Sequence, residues 1–271
     1  MKQQGIISDF IFQVFALIIS LIVVHAVYVA VIRPNAEAII AQQEILQAQD
    51  PDYVQDSSFY VILKDYEQES AIVLMLWAMA MMGLKMHRNI KETRMLDQPL
   101  LNLAEGMSIL PEDARDHARP LQALPPLERA YLLPRSLLAS LQRFASTRNI
   151  SDASGVVKDV CATEAERLDS ELTIIRYIAW AIPSIGFIGT VRGIGQALAQ
   201  AHQAVSGDIV GVTVSLGVAF NSTFIALLAS IVIMFLLFQL QLMQDRLVLD
   251  TQAYCDNYLI RNLQVPERNR P

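Results

Sequence analysis

Four stretches of this chain are too apolar and too long to be loops, and they dictate what it can fold into. The first, Phe10 to Ile32, reads FIFQVFALIISLIVVHAVYVAVI. A hydrocarbon core of about 30 Å is crossed by about 20 helical residues, so this run reaches across it. It stays apolar well beyond the roughly 15 residues of a secretory leader, and Val24-His25-Ala26 is a poor cleavage site, so it reads as a retained anchor. The second run, Ser70 to Leu84, is short, and Lys85 at its edge can lengthen it by reaching for the interface. The third runs from about Thr173 to Ile194 and the fourth from about Ile209 to Gln239. The fourth exceeds one crossing, so its helix should project beyond the bilayer.

Loop charge orients these spans. Between spans one and two lie Glu37, Glu44, Asp50, Asp52, Asp56, Asp65, Glu67 and Glu69, against Lys64 and the border residue Arg33. Directly after span two come Lys85, Arg88, Lys91 and Arg94. Lys and Arg close to span ends mark the cytoplasmic side. Residues 34–69 and 196–208 are therefore expected outside, and the 85–172 loop inside with both termini, near which Arg246, Arg261, Arg268 and Arg270 sit.

The expected architecture is an all-α membrane protein with four transmembrane helices, a helical cytoplasmic domain, and long helices continuing from the membrane into the cytoplasm. Residues 1–84 hold two spans and the acidic external segment, and 85–172 the cytoplasmic helices. Residues 173–240 form two further spans, and 241–271 a cytoplasmic helix and tail. Within 85–172, Pro111, Pro120, Pro125, Pro126 and Pro134 restrict the first half to helices that are short or begin at those prolines. From Val157 onward, Cys161, Ala165, Leu168, Leu172 and Ile175 recur at helical spacing. No turn signal follows, which predicts one helix running into span three. Its charged face, with Glu164, Glu166, Arg167 and Asp169, is either a docking surface or an ordinary solvated face.

Several functions are excluded early. A net charge of −6 without a basic stripe argues against nucleic acid as a partner. No CxxC, HExxH or paired-His spacing supports a metal site, and Cys161 and Cys255 read as reduced packing residues. No nucleophile–base pair or phosphate loop is visible, so the chain is not expected to be an enzyme or to hold a cofactor. His25, inside span one, is a candidate functional residue because intramembrane ionisable groups are costly.

The chemistry concentrates in spans three and four. Gly189 and Gly193 form a small-xxx-small pair that lets another helix approach closely. Pro183 deprives a backbone carbonyl of its helical donor and favours a kink. Pro183, Gly186, Thr190 and Gly193 share one narrow face. In span four, Ser215, Ala219, Ser222, Thr223, Ala226 and Ser230 form a small, hydroxyl-bearing stripe. Such a stripe is either a close-packing surface, each hydroxyl bonded back to its own helix, or a pore wall. From Leu172 to Gln244 the only carboxylate is Asp208, placed in a loop. If these spans pass ions, the carboxylate that loses and regains charge must come from another chain.

The run Pro183-Ser184-Ile185-Gly186-Phe187-Ile188-Gly189-Thr190-Val191, followed by Gly193-Ile194, resembles the span signature of the MotA/TolQ/ExbB proton channel family. Ala219-Phe220-Asn221-Ser222-Thr223-Phe224-Ile225-Ala226-Leu227 resembles the segment carrying that family's second threonine, and the likeness extends from Leu172 through Leu263. The resemblance implies a homopentamer around a dimer of a single-span ExbD/TolR/MotB-like protein, whose aspartate binds a proton or a sodium ion. Ion flow then turns the pentamer and delivers mechanical work. Thr190 and Thr223 match the two threonines facing that aspartate, with Ser222 and Ser215 along the same ion pathway; Pro183, Gly186, Gly189 and Gly193 serve the kink and close packing. A multi-pass location in the bacterial inner membrane follows. The chain departs from the pattern at Val218, where ExbB and TolQ carry glutamate, and at Arg192, where they carry tryptophan. Val218 supports the alternative, a non-conducting membrane scaffold of the same fold.

Overall fold

The computed structural model describes residues 2–49, 58–101, 107–207 and 209–265. Asp50, Asp52, Asp56, Asp208, Arg268 and Arg270, and the side chain of Glu44, lie outside them. Four helical stretches are long and apolar enough to cross a membrane: Phe10–Gln47, Tyr66–Asp97, Ile150–Ala199 and Val210–Asn262. Among the described residues there is no strand, only an isolated bridge between Ile109 and Leu263. The protein is an all-α membrane protein.

Two compact units divide the chain, one of residues 1–83 with 174–237, the other of 84–173 with 238–271. The first begins with α1 (Lys2–Val27), a π-helical turn (Tyr28–Ile32) and α2 (Arg33–Gln49). The widened turn has a cause in Pro34, which cannot donate to the carbonyl four residues back and would clash with it in a regular helix. The acidic stretch expected as a loop is therefore helical as far as Gln49. After α3 (Phe59–Leu63) comes α4 (Tyr66–Thr93), which extends the short apolar run at both ends. α9 (Thr173–Ala199), α10 (Ala201–Val205) and α11 (Val210–Tyr254) follow. With 45 residues, α11 is about 68 Å long, well over the thickness of a bilayer core.

The second unit contains α5 (Ala114–Gln122), α6 (Pro126–Arg129), α7 (Leu132–Thr147) and α8 (Ile150–Glu171). Pro126 starts α6, where a missing N–H costs nothing. Arg148, at φ 53°, ends α7 in the left-handed region, and Asn149 starts α8 by accepting the Ser151 N–H at 2.9 Å. Leu137, Leu141 and Phe144 pack with Ala153, Val157, Cys161, Cys255 and Leu259 in a common core. α8 and α9 are separated only at Leu172, whose N–H bonds the Asp169 carbonyl at 3.1 Å. The expected single helix is thus interrupted by one tightened turn, with no proline or glycine to announce it.

Of the charged residues of α8, Glu166, Arg167 and Asp169 are exposed and Glu164 is drawn inward. Glu164 is buried, and it takes hydrogen bonds from Arg135 at 2.6 Å and from Arg167. Arg167 also bonds Glu171 at 2.9 Å, and Glu171 pairs with Lys85 at 2.6 Å. Lys85 thus has a protein partner.

Candidate functional site

Helices α9 and α11 approach closely because α9 presents glycines where they meet. A methyl group added at Gly186 would lie 2.5 Å from the Ala226 Cβ, one at Gly189 2.5 Å from the Ser222 Cβ, and one at Gly193 2.7 Å from both the Ala219 Cβ and the Ser215 carbonyl. These contacts interleave along the two helices and bring backbone against backbone.

That proximity lets hydroxyls bond across the interface. Thr223 on α11 donates to the Gly186 carbonyl of α9 at 3.0 Å. Reciprocally, Thr190 on α9 lies 3.1 Å from the Ala219 carbonyl of α11 and also touches the Thr223 hydroxyl. Two hydroxyls and two carbonyls form one polar knot in an otherwise apolar pair of helices. Ser222 and Ser215 behave differently. Both are buried and donate to their own helix, to Val218 at 2.9 Å and Gly211 at 2.9 Å, and Ser215 also accepts from Gln200 at 3.4 Å.

Pro183 sits inside α9 and cannot donate to the Ala179 carbonyl. Ser230 of α11 supplies the missing donor, with its Oγ 3.1 Å from that oxygen. In sequence Ser230 is only the end of a small-residue stripe. The signal that could have found it is the proline, which names the carbonyl needing a partner.

A second polar group gathers at the start of α4. Glu67 accepts from Arg192 of α9 at 2.8 Å, and Asp65 lies 3.8 Å from the same guanidinium. Glu69, two residues on, faces the other way, toward His25 at 2.7 Å and Arg33. Arg192 and His25 both meet carboxylates of this chain. Burial lifts Asp65 above the usual carboxylate range, against the opposing pull of Lys64 and Arg192. Sequence reading used Asp65 and Glu67 only as loop charge. Their signal was alternate acids at a helix start, with an arginine toward the far end of span three.

Fold and site together define a multi-pass helical membrane protein with a glycine-mediated, hydroxyl-bridged helix pair. The model of the MotA/TolQ/ExbB proton channel family matches residues 131–253, so this segment of the chain is similar to that family. The match takes in α7 and α8 as well as α9, α10 and nearly all of α11. No curated protein and no solved structure matches the chain. The family suggests a proton-channel, stator-type function and is not an enzyme family.

Proposed function

We propose that this chain is the channel-forming stator subunit of an ion-driven motor in the bacterial inner membrane. Five copies surround a dimer of a single-span partner, and the partner's aspartate carries the proton or sodium ion past Thr190 and Thr223. Residues 34–69 and 196–208 face outward, and both termini face the cytoplasm, in keeping with the basic residues after span two.

The observation that carries this reading is the Thr190–Thr223 knot, inside the matched segment and on helices with no carboxylate among their described residues from Leu172 to Gln244. Hydroxyls can pass or help solvate an ion, but they do not titrate near neutral pH. A partner aspartate completes such a path. Val218 favours a second reading, a scaffold that keeps the fold without conduction.

The decisive experiment isolates the complex from its native membranes through a tag on this chain, then measures its mass and its ion flux in liposomes. A motor subunit gives a 5:2 assembly with flux that Thr223→Val abolishes while assembly persists. A scaffold gives an assembly without flux.

A further inference from the structure

Unabsorbed by the helix pair is the charged group at the start of α4. One guanidinium, Arg192, serves two carboxylates at unequal distances, 2.8 Å to Glu67 and 3.8 Å to Asp65. Several buried polar atoms there lack a partner: Asp65 Oδ2, Arg192 Nε, and the side-chain carbonyl of Gln68, a fully buried residue beside Asp65. The Tyr28 hydroxyl, also buried near Asp65 and Glu69, has none either. Native interiors rarely leave such atoms unpaired, and where they do, a functional reason is the first to test.

The group also touches the helix-pair site. A methyl at Gly189 would meet Ser222 Oγ at 2.6 Å and Glu67 Cγ at 3.1 Å, so Glu67 and Ser222 share the niche that this glycine leaves. Gly189 and Ser222 are the sequence neighbours of Thr190 and Thr223. Asp65, Arg192 and Glu67 therefore gather beside Gly189 and Ser222, each one residue from a threonine of the knot. α4 brings to the end of α9 the carboxylates that α9 and α11 lack.

We propose that Asp65 and Glu67, held together by Arg192, form a proton-uptake site of the ion path on this chain itself. Its mouth is the end of the spans assigned above to the outside. This rests on the channel reading and deepens it. A hydronium ion arriving from water gives up its proton to one of the two carboxylates, converting it to the acid, and the released water returns to solvent. The acid then gives that proton up to the ionised aspartate of the partner helix, which becomes the acid as the carboxylate here re-forms. The charged and titratable groups around the site are Lys64, Arg192 and Tyr28, with Glu69 turned away from it toward His25 and Arg33. Two buried acceptors, Asp65 Oδ2 and the Gln68 carbonyl, stand where a protonated carboxyl would find a partner.

The test uses the complex purified through a tag on this chain and reconstituted with a pH-sensitive dye inside the vesicles. Glu67→Gln should lower proton flux by roughly tenfold or more, as expected for loss of a titrating group on an ion path, while Glu67→Asp stays close to wild type. Asp65→Asn should shift the pH profile of flux, which a purely structural ion pair would not do. Wild-type flux that both Glu67→Gln and Asp65→Asn leave unchanged overturns the uptake site but not the channel. A wild-type complex without flux overturns the channel reading and this site with it. If a variant fails to assemble, dicyclohexylcarbodiimide labelling of the wild-type complex decides, because the reagent couples to protonated carboxyls in apolar surroundings. Label on Asp65 or Glu67 that rises with acidity supports the site, and its absence at every pH overturns it.

Discussion

Ser230 donates its hydroxyl hydrogen to the Ala179 carbonyl across the α9–α11 interface, at 3.1 Å, because Pro183 has removed that carbonyl's own helical donor. The bond is a repair, and its value depends on the proline. Ser230→Ala should cost about 1–2 kcal/mol by stranding an acceptor in apolar surroundings. In a Pro183→Ala background the alanine N–H takes over the carbonyl, and the same change should cost almost nothing. Thermal unfolding of the four proteins in one detergent measures this coupling.

The threonine knot should respond to chemistry rather than to size. Thr223→Val keeps the shape but leaves the Gly186 carbonyl without the donor at 3.0 Å, a loss of about 0.6–2 kcal/mol by the range seen for hydroxyl bonds between membrane helices. Thr223→Ser retains the bond and should stay within a few tenths of a kcal/mol of wild type. The unfolding midpoint of each purified variant separates the two.

Glycines in α9 should divide sharply. At Gly193 a methyl would meet the Ser215 carbonyl at 2.7 Å and the Ala219 nitrogen at 2.8 Å, backbone atoms that cannot swing aside. Gly193→Ala should therefore destabilise by about 1–3 kcal/mol, the usual cost of overpacking. At Gly195 nothing lies within 4 Å, so Gly195→Ala should be neutral or slightly stabilising through better helix propensity. Protease resistance in detergent gives the ranking.

In the second unit, the ion pairs of Glu164 should be asymmetric in their cost. Arg135 and Arg167 are 42% and 53% exposed and return to water easily, whereas Glu164 is 4% exposed. Glu164→Gln should cost about 1 kcal/mol. Replacing both arginines with methionine strands a buried carboxylate and should cost about 3 kcal/mol or more. Urea unfolding of the full chain in micelles, followed at this unit, tests the order.

Asp65 gives a pH-dependent expectation. Burial raises its folded pKa above its unfolded value, so the folded state holds its proton more tightly. Its contribution is fully favourable below the unfolded pKa and is lost as pH rises through the folded one. Asp65→Asn, neutral throughout, should gain a few degrees in melting temperature over wild type at neutral pH and lose that advantage below about pH 4. Melting curves across that range check the sign.

Four membrane-capable helices are legible in the amino-acid order alone, because long apolar runs have no other way to satisfy their backbone in lipid. It also marked Pro183, Gly186, Gly189, Thr190, Gly193 and Thr223 as the face where chemistry concentrates, since small residues, a proline and hydroxyls at helical spacing stand out against leucine and isoleucine. It could not say what those groups touch. That Thr223 bonds Gly186, that Ser230 repairs Ala179, and that Ser222 and Ser215 turn back to their own helix follow only from how α9 lies against α11. The absence of a carboxylate in the last two spans holds along the chain for all but Asp208, yet Glu67 reaches Gly189 from a helix more than a hundred residues earlier. Charge in a segment is a local property and can be read from composition. Which charge meets which partner is set by packing between helices distant in sequence, which no local pattern encodes.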